Sequence, residues 1–165
     1  SKPGAGSAFF VELELGRCED GVPVTIDDSD GTLDTEWACF AGKHILLVDD
    51  ADTALDLAEW LLHSKIEKVT ICKNGQEALD WMAINAAPNL VLMDIQMPVM
   101  NGITAVAKMR SNPDLEKIPV IAITADANKQ TIEEARSVGV NNYITKPFKP
   151  EKLNDIIKQL LSQIG

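Results

Sequence analysis

From Lys43 onward, short apolar runs alternate five times with segments of helical periodicity. The runs are His44 to Val48, Lys68 to Cys72, Asn89 to Asp94, Pro119 to Thr124, and one around Tyr143 and Ile144. Between and after them, Asp52 to Ser64, Gly75 to Ala86, Gly102 to Arg110, Asn128 to Val138 and Pro150 to Ile164 place apolar residues at helical spacing. Runs that stay apolar at successive positions suit strands buried on both faces, which means parallel strands with helices on either side. Pro119 can sit only at the start of its strand, Gly139 is placed to end a helix, and Pro150 fits a first helical turn. Right-handed crossovers leave few topologies, and a closed barrel would need eight such units. An open, doubly wound α/β sheet follows, with its chemistry beyond the C-terminal ends of the strands.

Residues 1–42 differ from the rest. Nine acids against Lys2 and Arg17 give −7 there; sixteen acids against thirteen bases give −3 in residues 43–165, for a total of −10. The first seven residues are loop chemistry, Phe9 to Leu15 alternates partly as a strand does, and residues 16–42 read as an acidic, turn-rich, mobile linker. An acidic chain without a Lys/Arg cluster is a poor match for nucleic acid or an anionic membrane. Neither a membrane-length apolar run nor a signal peptide is visible. Cys18, Cys39 and Cys72 are odd in number and lack metal-ligand spacing, which fits a reducing cytoplasm, with Cys72 a small buried hydrophobe. The chain begins at Ser1 without a start methionine, as a piece cut from a longer protein would.

The polar residues ending each strand converge, because a parallel sheet sends all its C-terminal ends to one edge. The first strand ends at Asp49 and Asp50, the third at Asp94 before a loop marked by Pro98 and Asn101-Gly102, the fourth at Thr124, and Lys146-Pro147 follows the fifth. Each has a plain alternative as a cap, a strand-end threonine or a surface lysine. Together they make a crevice with three carboxylates. At an effective dielectric of about 20, two carboxylates about 4 Å apart repel by roughly 4 kcal/mol. A hard divalent cation offsets that repulsion, and Mg²⁺ suits a site with few protein oxygens better than Ca²⁺. One carboxylate can then act as nucleophile toward a phosphoryl group, while Lys146 and the Thr124 hydroxyl stabilise its oxygens.

The motifs Leu46-Leu47-Val48-Asp49-Asp50, Leu92-Met93-Asp94-Ile95-Gln96-Met97-Pro98, Ile123-Thr124-Ala125 and Tyr143-Ile144-Thr145-Lys146-Pro147-Phe148 resemble those of response regulator receiver domains, over about residues 43–164. The resemblance implies a flavodoxin-like (βα)5 fold of strand order 2-1-3-4-5. It implies Asp94 as phosphoacceptor from a phosphohistidine. Mg²⁺ would be held by Asp50, Asp94, the Gln96 backbone carbonyl and, through water, Asp49. Thr124 and Tyr143 would form the switch pair, Lys146 would bind the phosphoryl group, and the Lys146–Pro147 bond would be cis. Asp126 stands where the family varies its side chain to tune dephosphorylation. The implied partners are a histidine kinase domain and a histidine phosphotransfer protein.

Gly4-Ala5-Gly6-Ser7-Ala8-Phe9 is similar to a segment near the end of histidine-kinase ATP-binding domains. Residues 1–15 are thus expected to be the last strand of such a domain, the parent a hybrid kinase, and residues 43–165 its receiver. Such a strand, orphaned from its sheet, is expected to fray or to pack on the receiver or on a neighbouring chain. Three other functions compete. A metal-dependent aspartyl-phosphate phosphatase usually has an acid two residues after its nucleophile, where this chain has Gln96. A flavin carrier would meet two repelling carboxylates after the first strand. A phosphorylation-independent binding module would not need the intact acid, Thr and Lys set.

Overall fold

The computed structural model describes residues 11–14, 40–63, 66–126 and 128–163. The glycine motif of residues 4–9 and the acidic linker of residues 16–39 lie outside the described residues. The elements, in chain order, are β1 (Val11–Glu14), β2 (His44–Val48), α1 (Ala54–His63), β3 (Lys68–Cys72), α2 (Gly75–Ile84), β4 (Leu90–Asp94), α3 (Gly102–Arg110), β5 (Val120–Thr124), α4 (Lys129–Ser137), β6 (Asn142–Thr145) and α5 (Pro150–Ser162).

These form one sheet of order β1-β3-β2-β4-β5-β6. From β3 to β6 the strands are parallel and follow the flavodoxin-like order. The sixth strand, β1, adds antiparallel on the outer edge of β3. Val11–Glu14 thus packs on the edge of the parallel sheet, one of the outcomes expected for this strand.

Strict alternation divides the buried side chains between two cores. Ile45, Leu47, Val69, Ile71, Leu92 and Ile121 face the cluster that α1 and α5 complete. Leu46, Val48, Cys72, Val91, Met93 and Val120 face the cluster completed by α2 and α3. β4 and β5 are buried at every position, as strands covered on both sides must be. Cys72 is a free thiol within this packing, and burial, helped by the charge of Glu77, pushes its pKa up to about 12. It therefore has little thiolate character at neutral pH. By contrast, α4 buries only Ala135.

Helix starts follow side-chain caps. Asn74, Asn101 and Asn128 each accept the backbone N–H three residues on, at 3.0, 2.8 and 2.8 Å. These caps explain why α4 begins one residue after Asn128. α1 is shorter than its periodicity predicts, starting at Ala54 rather than Asp52.

One guanidinium fastens the end of the sheet opposite the strand tips. Arg110 donates from Nε and Nη2 to the Gly139 carbonyl at 3.0 and 2.9 Å, and from Nη1 to the Glu116 and Ile118 carbonyls at 2.9 Å each. Nη2 also reaches Asn141 Oδ1, which accepts the Val120 N–H. Gly139 has φ +92°, and a β-carbon there would stand 3.0 Å from Arg110 Nε. Arg110→Ala is expected to cost about 3 kcal/mol in urea denaturation, because several carbonyls lose a charged donor together. Arg110→Lys should recover less than half of that loss, since one ammonium cannot serve acceptors on both sides. Equal stability of the lysine variant would contradict this clamp.

Candidate functional site

Each strand end delivers its polar residue through a local turn. Asp49 follows β2, and its N–H is held by the Cys72 carbonyl at 3.0 Å. Its Oδ1 accepts the Ala51 N–H at 2.9 Å. Asp94 ends β4, and its Oδ1 accepts the Gln96 N–H at 2.8 Å. Asp126 repeats the pattern after β5, accepting the Asn128 N–H at 3.0 Å. Aspartate bonding the amide two residues on is a turn device, and it aims the carboxylate before any ligand arrives.

The expected cluster forms. One carboxylate oxygen from each of Asp49, Asp50 and Asp94 lies within 4.8 Å of the others. Asp49 and Asp94 are buried and Asp50 is exposed. Lys146 sits between the two buried acids, donating to Asp49 Oδ2 and Asp94 Oδ2 at 2.7 Å each. Burial by itself would lower the pKa of Lys146. Hydrogen bonds to Asp49 and Asp94, and then their charges, outweigh it and raise the value above the ordinary lysine range. The Lys146–Pro147 peptide is cis.

Thr124 is buried at the end of β5. Its hydroxyl donates to the Asp126 carbonyl at 2.8 Å and accepts the Asp126 N–H at 3.1 Å, so it is turned into its own loop. Tyr143 is half-buried on β6, with the Arg136 guanidinium 5.9 Å above its ring centroid. Gln96 is exposed, and its N–H is committed to Asp94. The amides of Ala51 and Gln96, the Asp126 carbonyl and the Arg136 guanidinium touch residues of this candidate site, and sequence reasoning missed them. The recurring Asp-x-x spacing after three strands was the available signal for the amides.

The loop from Asp94 to α3 contains a tight γ-type turn. Val99 has φ +66° and the Met100 N–H donates to the Pro98 carbonyl at 2.8 Å. For a β-branched residue this conformation costs about 1–3 kcal/mol. Gly102 follows, its N–H on the Ile95 carbonyl at 3.1 Å.

The donor set is hard oxygen with one ammonium, leaving a formal excess of two negative charges among three carboxylates and Lys146. That chemistry fits a Mg²⁺-like ion. A cleft of about 570 Å³ opens beside it, lined by Asp49 and Lys146 together with Leu57, Trp60, Phe148 and Pro150. Among the described residues no helix is long and apolar enough to cross a membrane.

A family model of the response regulator receiver domain matches residues 45–158. The chemotaxis protein CheY1 of Helicobacter pylori is 36% identical over 118 residues, covering 71% of this chain and 95% of that protein. The signal transduction histidine-protein kinase BarA of Escherichia coli is 34% identical over 113 residues, 68% of this chain but only 12% of the kinase. Among solved structures, the receiver domain of a Pseudomonas aeruginosa sensor histidine kinase, with magnesium coordinated in its active-site cleft, aligns at TM-score 0.66 and 32% identity, covering 74% of this chain and 99% of that one. The Mn²⁺-bound response regulator Rcp1 aligns at TM-score 0.61 and 27% identity, covering 73% and 92%. The chain belongs to the response regulator receiver domain family and is a phosphorelay receiver of two-component signalling.

Proposed function

We propose that Asp94 is the phosphoacceptor, that Asp49, Asp50, Asp94 and the Gln96 backbone carbonyl hold Mg²⁺, and that Lys146 and Thr124 bind the transferred phosphoryl group. The observation that carries this reading is the Lys146 ammonium lodged between two buried carboxylates beside a third. In the transfer, an Asp94 oxygen bonds to phosphorus as the phosphorus–nitrogen bond of a phosphohistidine breaks, its electron pair staying on the imidazole. A divalent ion held by these carboxylates would supply positive charge toward the phosphoryl oxygens. Lys146 needs only to extend its contact from Asp94 to the new dianion.

Thr124 has a larger adjustment to make. Its hydroxyl exchanges the neutral Asp126 carbonyl for a charged phosphoryl oxygen, a stronger acceptor. Tyr143, leaving the Arg136 guanidinium, moves inward behind it. A full reversal of a 1:99 population takes about 5.5 kcal/mol, within reach of these charge-assisted bonds. α4, with one buried residue, is the element that can respond.

The donor and acceptor in this reading are a histidine kinase domain and a histidine phosphotransfer protein in the cytoplasm. The apolar wall of Leu57, Trp60 and Phe148 beside Asp49 suits a protein surface bringing an imidazole to the site. Residues 1–15 are read as the final strand of a kinase ATP-binding domain and 16–42 as the acidic linker from it. The testing experiment incubates the chain with acetyl phosphate and Mg²⁺ and records intact mass. One phosphoryl group should be gained by the native chain and none by Asp94→Asn. No gain in the native chain, or an equal gain in the variant, overturns the assignment.

A further inference from the structure

The outer edge of β3 is filled from the far end of the chain. Without β1, this strand would have a neighbour on one side only, β2. Such an edge presents a row of unpaired amides and carbonyls, and natural sheets usually guard it with prolines, bulges or charges. β3 has Lys68 at its start, but Val69, Thr70, Ile71 and Cys72 are buried and none is charged or proline. No proline or charge within Val69 to Cys72 guards this edge.

The register identifies what suits it. Val11 stands opposite Ile71 and Leu13 opposite Val69, while Glu12 faces Thr70 and Glu14 faces Lys68. In this register apolar residues stand opposite apolar ones and an acid opposite a base, the placements that favour cross-strand pairing in a sheet. A slip of one residue in either direction would bring a glutamate opposite Val69 and part Glu14 from Lys68. Alternation with a period of two therefore fixes one register.

We propose that the outer edge of β3 is a strand-addition site selective for an extended segment that alternates apolar and acidic residues, with Val11–Glu14 as its resident ligand, held in cis. Recognition is antiparallel and main-chain, and Val69, Ile71 and Lys68 supply the selectivity. The site is remote in composition from the phosphoryl chemistry. The other side of β3 pairs with β2, and the Cys72 carbonyl at its end accepts the Asp49 N–H.

The test uses the full chain and hydrogen exchange at the β3 amides. Leu13→Pro removes a backbone donor and should speed exchange at the outer edge by at least about tenfold. Glu14→Lys, which sets two lysines opposite each other, should give a smaller change in the same direction. A synthetic peptide of residues 8–17 should restore protection to the Leu13→Pro chain, whereas the same peptide with glutamate at positions 11 and 13 should not. Equal exchange in native and variant chains, or equal rescue by both peptides, overturns the proposal. Protection in the native chain should be independent of protein concentration; loss on dilution would place the strand in a second copy and overturn the cis assignment.

Discussion

Lys146→Met is expected to lower stability by about 3 kcal/mol in urea denaturation at neutral pH with EDTA present, and to slow phosphoryl uptake about 10²–10³-fold. The stability loss has a specific source. Asp49 and Asp94 are 3% and 8% exposed at their side chains, and each gives one oxygen to Lys146. Methionine keeps much of the aliphatic bulk but leaves both carboxylates without the ammonium. Amides of Ala51 and Gln96 still serve the other oxygens, so the loss falls short of an abandoned buried charge. Millimolar Mg²⁺ should return part of the lost stability, and the variant should bind the ion more tightly than the native chain, because a competing positive charge has gone. Weaker binding in the variant would contradict the electrostatic account.

The pH dependence has a definite sign. Lys146 has its pKa raised in the folded protein, burial notwithstanding, by Asp49 and Asp94. Its contribution is therefore complete below the unfolded lysine value of about 10.4 and is lost as pH rises through the higher folded value. Native stability should fall in that alkaline window. The difference between native and Lys146→Met should shrink there, and a gap that stayed constant into strong alkali would count against the ion pair.

The five parallel strands were legible because strands buried on both faces must be apolar at every position, and β4 and β5 are. The convergence of Asp49, Asp50, Asp94 and Lys146 was legible for a topological reason: parallel strands end on one side. What the sequence hid is main-chain or long-range. Val-Glu-Leu-Glu shows alternation, but nothing in it names a partner strand 54 to 60 residues further on, the separations of Glu14 from Lys68 and Val11 from Ile71. Arg110 reads as an ordinary basic residue near a helix end, since its acceptors are carbonyls that every residue carries. The Arg136–Tyr143 contact likewise joins two elements whose spacing is set by the sheet.

Gly102 was read as part of a loop signal, yet its replacement should disturb the site. Gly102→Ala is expected to destabilise the protein by about 3 kcal/mol and to slow phosphoryl uptake about 10²-fold. At an ordinary first position of a helix, alanine in place of glycine stabilises by up to about 1 kcal/mol. Here the sign reverses. A β-carbon at 102 would overlap the carbonyl oxygen of Asp94, lie 3.0 Å from its carbonyl carbon and 2.9 Å from Met93 Cγ. Those atoms are the end of a central strand and a fully buried side chain, so they cannot yield as a surface side chain does. Relief must come from moving α3 away or pushing the Asp94 backbone, and the second displaces the proposed phosphoacceptor itself. Thr104→Ala, exposed in the same helix, should leave both quantities near native. A Gly102→Ala protein that lost stability but took up phosphate at the native rate when folded would show that α3 alone had moved, and that Asp94 is positioned by its strand rather than by this contact.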